Sequence, residues 1–255
     1  MIPYVGRETI QIAGLTIQVW GTLVASGFLL GTWIAARRAK RLGLSSDHIY
    51  TVASWIFVAA MIGARLFHVM VYEPGYYLEH PWKAIDPREP GYAITGGFLG
   101  AAAVFAWYMQ KKALSWISYA DALIWGVPWG CGVGRIGCFL IHDHPGTLTH
   151  SRLGVEYPDG QVRHDLGLYL SLVGFGTGLV FLLLNRKPRP PGFWAALFLV
   201  FEGMSRVLLD QWRVVDARYF GVTPAQMAGV LFVCAGAAWL WKLQAKQDHH
   251  IDKRA

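Results

Sequence analysis

Seven apolar runs, each close to the length that crosses a bilayer core, follow one another along the 255-residue chain, and the basic residues gather as short clusters at their ends. The runs are Leu15 to Ala36, Tyr50 to Tyr72, Tyr92 to Met109, Ile117 to Ile141, Leu166 to Leu184, Phe193 to Leu209 and Thr223 to Leu243. A soluble domain does not afford so much continuous apolar surface with only 15% charged residues, so the chain reads as an all-α integral membrane protein. Basic clusters close every second end: Arg37-Arg38-Ala39-Lys40-Arg41, Lys111-Lys112, Asn185-Arg186-Lys187-Pro188-Arg189, and a tail with Lys242, Lys246, Lys253 and Arg254. The positive-inside rule then gives seven transmembrane helices with the N-terminus outside and the C-terminus cytoplasmic. Residues 1–255 form a single transmembrane domain on this reading, with no internal repeat.

The same placement of charge removes another class. A formal net charge of +7 would suit a nucleic-acid partner if the basic residues made a soluble face; at span ends they set topology, and no nucleic-acid binding is expected. Met1 to Gly14 contains Arg7 and Glu8 and no small-residue cleavage site, so no removable signal peptide is expected. Cys131, Cys138 and Cys234 lie in or beside apolar runs without Cys-x-x-Cys spacing and supply no disulfide framework. The twelve tryptophans, Trp20, Trp82, Trp129 and Trp212 among them, suit interfacial belts and packing.

Chemistry concentrates where the fourth run ends, in Gly132-Val133-Gly134-Arg135-Ile136-Gly137-Cys138-Phe139-Leu140-Ile141-His142-Asp143-His144-Pro145-Gly146. It puts a fixed cation inside membrane-like sequence and titratable groups just beyond it, and an intramembrane arginine needs a partner. Arg65, Arg135 and Arg206 all fall toward the outer side. Each alone can snorkel or pair with Asp121, Glu202 or Asp210; three together suit a phosphate, because guanidinium forks match its oxygens and stay charged in a low dielectric. The loop from His142 to Asp165 carries His142, His144, His150 and His164, which exchange protons near neutral pH. Cys138, three residues after Arg135, has a cation near its thiol, yet a small buried residue is the ordinary state of a cysteine. No metal or other cofactor is expected, since histidines at i and i+2 make a site only if the loop is extended and other ligands converge.

These residues resemble a known family, the prolipoprotein diacylglyceryl transferases. Gly134-Arg135-Ile136-Gly137-Cys138-Phe139 is similar to its Gly-Arg-x-Gly-Asn-Phe signature and is followed by Asp143 and Gly146 at the matching distance. Gly63-Ala64-Arg65-Leu66-Phe67 resembles its second span, Thr95-Gly96-Gly97-Phe98-Leu99-Gly100 its His-Gly-Gly segment, and Arg163-His164 with Leu168-Tyr169 its Arg-His-Pro-x-Gln-Leu-Tyr element. Gly203-Met204-Ser205-Arg206 and Arg213-Val214-Val215-Asp216 resemble its Gly-x-x-Arg and Arg-x-x-Asp.

The resemblance implies transfer of a diacylglyceryl group from phosphatidylglycerol to the lipobox cysteine thiol of prolipoproteins, in the bacterial cytoplasmic (inner) membrane, with release of glycerol phosphate. It implies Arg135 and Arg206 on the phosphate, with Asp143 orienting; because threonine at position 95 cannot serve as the base that the family's histidine could, either His142, His144 or His164 acts as base or the lipid pocket is kept with a changed reaction or acceptor. It places Arg65, Thr95, Gly96, Gly97, Gly137, Cys138, Gly146 and Arg163 against substrate. The departures are chemical: Thr95 stands for the family's histidine, Cys138 for its asparagine, Asp143 for its glutamate, Trp20 and Glu202 for its tyrosines. A related transferase with another acceptor, or a non-catalytic lipid-binding protein, are the alternative readings.

Overall fold

The computed structural model describes residues 1–12, 14–86, 89, 91–214 and 218–252. Its helices are α1 (Val19–Arg41), α2 (Ser46–Phe67), α3 (Pro74–Glu79), α4 (Ile94–Lys111), α5 (Trp116–Ile141), α6 (Leu166–Leu184), α7 (Phe193–Leu209) and α8 (Pro224–Asp252). Each expected apolar run is therefore a helix, and α1 continues through its basic cluster, where cations suit a helix C-terminus. Among the described residues five stretches are long and apolar enough to cross a membrane: Val19–Arg41, Ser46–Tyr72, Trp116–Ile141, Leu166–Leu184 and Pro224–Lys246. The other two runs, α4 and α7, are helices of 18 and 17 residues, about 26 Å long against a hydrocarbon core of about 30 Å.

The chain divides into two compact units, Met1–Arg38 with Ala120–Ala255, and Ala39–Tyr119. In the first, small residues let helices touch. A Cβ on Gly130 would run into the backbone of Gly27, and one on Gly174 into that of Pro128 and Gly132, so α5 is clasped by α1 and α6. Trp125, Phe181 and Trp194 form an aromatic core, with Trp125 edge-on to Trp194 at 4.6 Å. Asp121, an acid inside an apolar run, is buried because it accepts from Gly192 N (2.7 Å) and Ala195 N (2.9 Å), an anion at the start of α7.

The polar segment between α5 and α6 folds into strands. β4 (Pro145–Leu148), β5 (Val155–Glu156) and β6 (Val162–Asp165) join β1 (Ile2–Pro3) in a sheet of order β1-β5-β6-β4, while β2 (Thr9–Ile12) and β3 (Leu15–Gln18) form a hairpin. The first apolar run accordingly enters its helix at Val19, since Leu15–Gln18 is a strand paired with the Thr-Ile-Gln-Ile of β2. Asp165 ends β6 and caps α6 by accepting from Leu168 N at 3.0 Å.

In the second unit α2 packs on α4 at Gly63 and Gly96. Arg65 is 8% exposed. It donates to the carbonyls of Lys83 (2.6 Å), Ala84 (2.9 Å), Gly91 (3.0 Å) and Glu89 (3.3 Å). Its guanidinium lies over the rings of Tyr77 and Tyr92. A permanently charged fork thus gathers four backbone carbonyls, those of Lys83, Ala84, Glu89 and Gly91.

Candidate functional site

The C-terminal turn of α5 carries Arg135 and Cys138 on neighbouring positions, and Arg135 Nη1 donates to Cys138 Sγ at 3.7 Å. Had the helix continued, Asp143 would sit about 140° around it from Cys138. It stops at Ile141 because His142 takes φ 49°, a left-handed conformation that reverses the chain. The reversal returns Asp143 and His144 to the cysteine, so that one ligand atom from each of Cys138, Asp143 and His144 lies within 4.8 Å of the others. Cys138 is buried, His144 partly buried and Asp143 exposed. Asp143 Oδ1 is 2.5 Å from His144 Nδ1, a close polar contact without hydrogen-bond alignment. His142 is turned away to Asp165 and takes no part in this cluster, so the two loop histidines do not converge; His144 is joined instead by Cys138 and Asp143.

The turn is held from beneath. A non-glycine residue in the left-handed region costs about 1–2 kcal/mol, and His142 is fastened there by its side chain. Its Nδ1 lies 2.7 Å from Asp165 Oδ2, with both side chains 1% exposed. Tyr4 stacks on the ring at 4.1 Å, and Phe139 and Tyr157 meet it edge-on at 5.2 and 5.4 Å. The Tyr157 hydroxyl also donates to Asp165 Oδ2, at 3.1 Å; burial first, then the adjacent carboxylate, push its pKa up and keep it a donor. His142 Nε2 is buried with no hydrogen-bond partner among the described residues. Arg7 N donates to Leu140 O at 2.8 Å, satisfying one of the helix's last carbonyls.

One turn back along α5, Arg135 faces a cavity lined also by Cys131, Gly174, Thr177, Phe198, Glu202 and Arg206. The two arginines expected to act together therefore share one partly buried, mostly apolar hollow. Arg206 engages Glu202 Oε1 through Nε (2.8 Å) and Nη2 (2.7 Å), at 17% and 25% side-chain exposure. A phosphate entering here meets two forks in a low dielectric, with Glu202 competing for one of them.

The remaining expected residues are distributed as follows. His164 is stacked on Trp212 at 4.5 Å, with Nδ1 2.9 Å from the Tyr169 hydroxyl; burial lowers its pKa and favours the neutral, proton-accepting ring. A Cβ on Gly146 would meet His164 and the carbonyl of Trp212, so this glycine permits a close strand approach. Arg163 pairs with Asp159 at 2.7 Å and lies over Tyr157. Gly137 packs against α1 at Trp20 and Leu23. Arg65, Thr95, Gly96 and Gly97 belong to the Ala39–Tyr119 unit, where Thr95 is exposed and Gly96 lies against Gly63. Asp216 lies outside the described residues. Asp165, Tyr157 and Tyr4 are structural partners of the site that the sequence reading did not single out, and Trp212, read there as a belt or packing residue, packs on His164. An acid directly before an apolar run is a helix-start signal that points to Asp165; nothing local points to Tyr4.

The model of the prolipoprotein diacylglyceryl transferase family matches residues 7–242. A phosphatidylglycerol–prolipoprotein diacylglyceryl transferase of Photobacterium profundum is 30% identical over 96% of each chain. Proteins of the same name from Aliivibrio salmonicida and Nitrosomonas europaea are 32% identical over 85% of this chain and 78% of theirs, and 30% identical over 96% and 94%.

Proposed function

Because the chain belongs to the prolipoprotein diacylglyceryl transferase family, we propose that it transfers the diacylglyceryl group of phosphatidylglycerol to the cysteine thiol of a prolipoprotein. The observation that carries the chemistry is Arg135 and Arg206 lining one cavity. The thiol sulfur attacks the glyceryl carbon that bears the phosphate ester. A C–S bond forms, the C–O bond breaks, and its electron pair leaves on glycerol phosphate. Charge grows on that phosphate as the bond breaks, and two fixed guanidinium groups stabilise it without reorganising. The thiol gives up its proton at the end of α5, where Asp143 and His144 stand together and partly open to solvent. His142, enclosed by Tyr4, Phe139 and Tyr157, shapes the turn; Arg65 holds the carbonyls of Lys83, Ala84, Glu89 and Gly91.

In this reading the chain is one transmembrane domain of the bacterial inner membrane. It crosses seven times, with α4 and α7 as the shorter spans, N-terminus outside and C-terminus cytoplasmic. The alternating basic ends support that orientation. The test is complementation of a bacterium depleted of its own transferase, reading lipoprotein mass for the added diacylglyceryl group. Rescue by the chain and failure of its Arg135→Ala variant are expected; equal rescue by both would remove Arg135 from the reaction.

A further inference from the structure

Cys138, Asp143 and His144 offer a sulfur, a carboxylate oxygen and an imidazole nitrogen, all within 4.8 Å of one another. Four-coordinate zinc, with bonds of about 2.0–2.3 Å, places its ligand atoms about 3.5 Å apart. Side-chain rotation closes that difference, and the backbone reversal at His142 has already been made and fastened. The donor set is of the borderline-soft kind that zinc selects, whereas calcium and magnesium demand shells of oxygen. Three protein ligands leave one position open, the pattern of a catalytic site.

We propose that these three residues hold a zinc ion whose open position takes the thiol of the incoming cysteine. The identity of that fourth ligand rests on the transferase reading; the ion does not. The charges support it. A dication with one thiolate, one carboxylate and a neutral imidazole is neutral overall, and a second thiolate adds a single negative charge. Arg135, 3.7 Å from Cys138 Sγ, lies where that charge appears. A thiol bound to zinc is deprotonated outright. Its proton passes to water, the sulfur keeps its electron pair and attacks the glyceryl carbon, and the C–O pair departs on glycerol phosphate between Arg135 and Arg206. The thioether formed is neutral and a poor ligand, so it leaves, with no change in the metal's oxidation state. His144 is then a ligand and not the proton acceptor.

Cobalt(II) reports the site independently of turnover. Purified, detergent-solubilised protein freed of metal by chelation is titrated with cobalt chloride. One equivalent per chain is expected, with a thiolate-to-cobalt charge-transfer band and the strong visible bands of four-coordinate cobalt. The charge-transfer band is expected to vanish in Cys138→Ser and to survive in Cys131→Ser combined with Cys234→Ser. Asp143→Asn and His144→Ala are expected to weaken cobalt binding by about tenfold or more, and they carry the test if Cys138→Ser fails to fold. No band at one equivalent, or a band that outlives Cys138→Ser, overturns the proposal. A second arm measures transfer from phosphatidylglycerol to a lipobox peptide. Loss on chelation with recovery on adding zinc chloride is expected. Full transfer by chelated protein that binds no cobalt sinks the zinc site and leaves the transferase reading standing. A cobalt site of the expected signature without transfer leaves the ion and sinks its thiol substrate.

Discussion

His142 reaches Asp165 across 23 residues of sequence, Nδ1 to Oδ2 at 2.7 Å, while its own backbone stands at φ 49°. The strained residue and its fastening are the same side chain. The turn that assembles Cys138, Asp143 and His144 is therefore fixed by a contact from the start of α6, and not by the propensity of the turn itself.

Replacing Asp165 tests that fastening. Asp165→Ala removes the acceptor of His142, of the Tyr157 hydroxyl and of Leu168 N together. Breaking a buried pair costs about 3–5 kcal/mol, and the lost helix cap adds about 1 kcal/mol. Asp165→Asn keeps one carbonyl oxygen, enough for the cap at the Oδ1 position or for the tyrosine at the Oδ2 position but not both, so a smaller loss than for alanine is expected. Denaturant titration in detergent, followed by tryptophan fluorescence, measures both; an Asp165→Ala protein as stable as the parent would mean that the turn stands unaided.

The arginine cavity makes a kinetic prediction. Arg135→Ala should lower kcat by about 100- to 1000-fold, the usual cost of removing one charge-stabilising donor. Arg135→Lys should recover little, because an ammonium has no planar fork. Glu202 occupies Arg206 from one turn away along α7. Glu202→Gln should therefore lower the KM for the anionic lipid a few-fold as competition for Arg206 weakens. A raised KM would show that the carboxylate positions the guanidinium instead.

The helices and the arginine pair were legible in the sequence because both depend on local pattern: apolar runs of fixed length, basic ends, a charge that needs a partner. The site's turn was not. A left-handed residue after a helix is announced by glycine or asparagine, and here it is histidine, held by an aspartate whose local signal is only the start of the next helix. The His142–Asp165 segment reads as polar loop too, since all three strands are short, β4 opens on proline and glycine, and β5 and β6 carry charged residues. Pairing Ile2 with Val155 and stacking Tyr4 on His142 are long-range events that no window of sequence contains. Thus Cys138 reads alone as a small buried residue and His144 as one of several loop histidines, until the reversal at His142 brings His144 and Asp143 to the cysteine.

His164 gives the chain a pH dependence of definite sign. Its folded pKa is lowered by burial from an ordinary value near 6.5. Above that value both folded and unfolded chains carry a neutral ring, and stability is unaffected. As pH falls below it the unfolded chain gains a proton first, so stability declines down to the folded pKa and then levels. Unfolding measured across that range should show the decline, and His164→Gln should flatten it. A parent and variant with parallel profiles would assign the dependence to other groups.

Gly96 and Gly97 stand side by side at the start of α4, and substituting them in turn separates helix packing from substrate contact. A Cβ on Gly96 would collide with the carbonyl of Gly63 and with Phe67, neither of which is a flexible end, whereas one on Gly97 would meet Ala60 O at 3.5 Å, an ordinary contact. Gly96→Ala should therefore destabilise the chain by about 1–3 kcal/mol, the range for overpacking, and Gly97→Ala by much less. Thermal unfolding reads this asymmetry, and transfer by each variant is assayed at a temperature where both are folded. If these glycines act by packing α4 on α2, the folded Gly97→Ala protein keeps its turnover. If the segment instead lies against the lipid through its bare backbone, Gly97→Ala loses turnover without losing stability, and that result would move the segment from scaffold to binding surface.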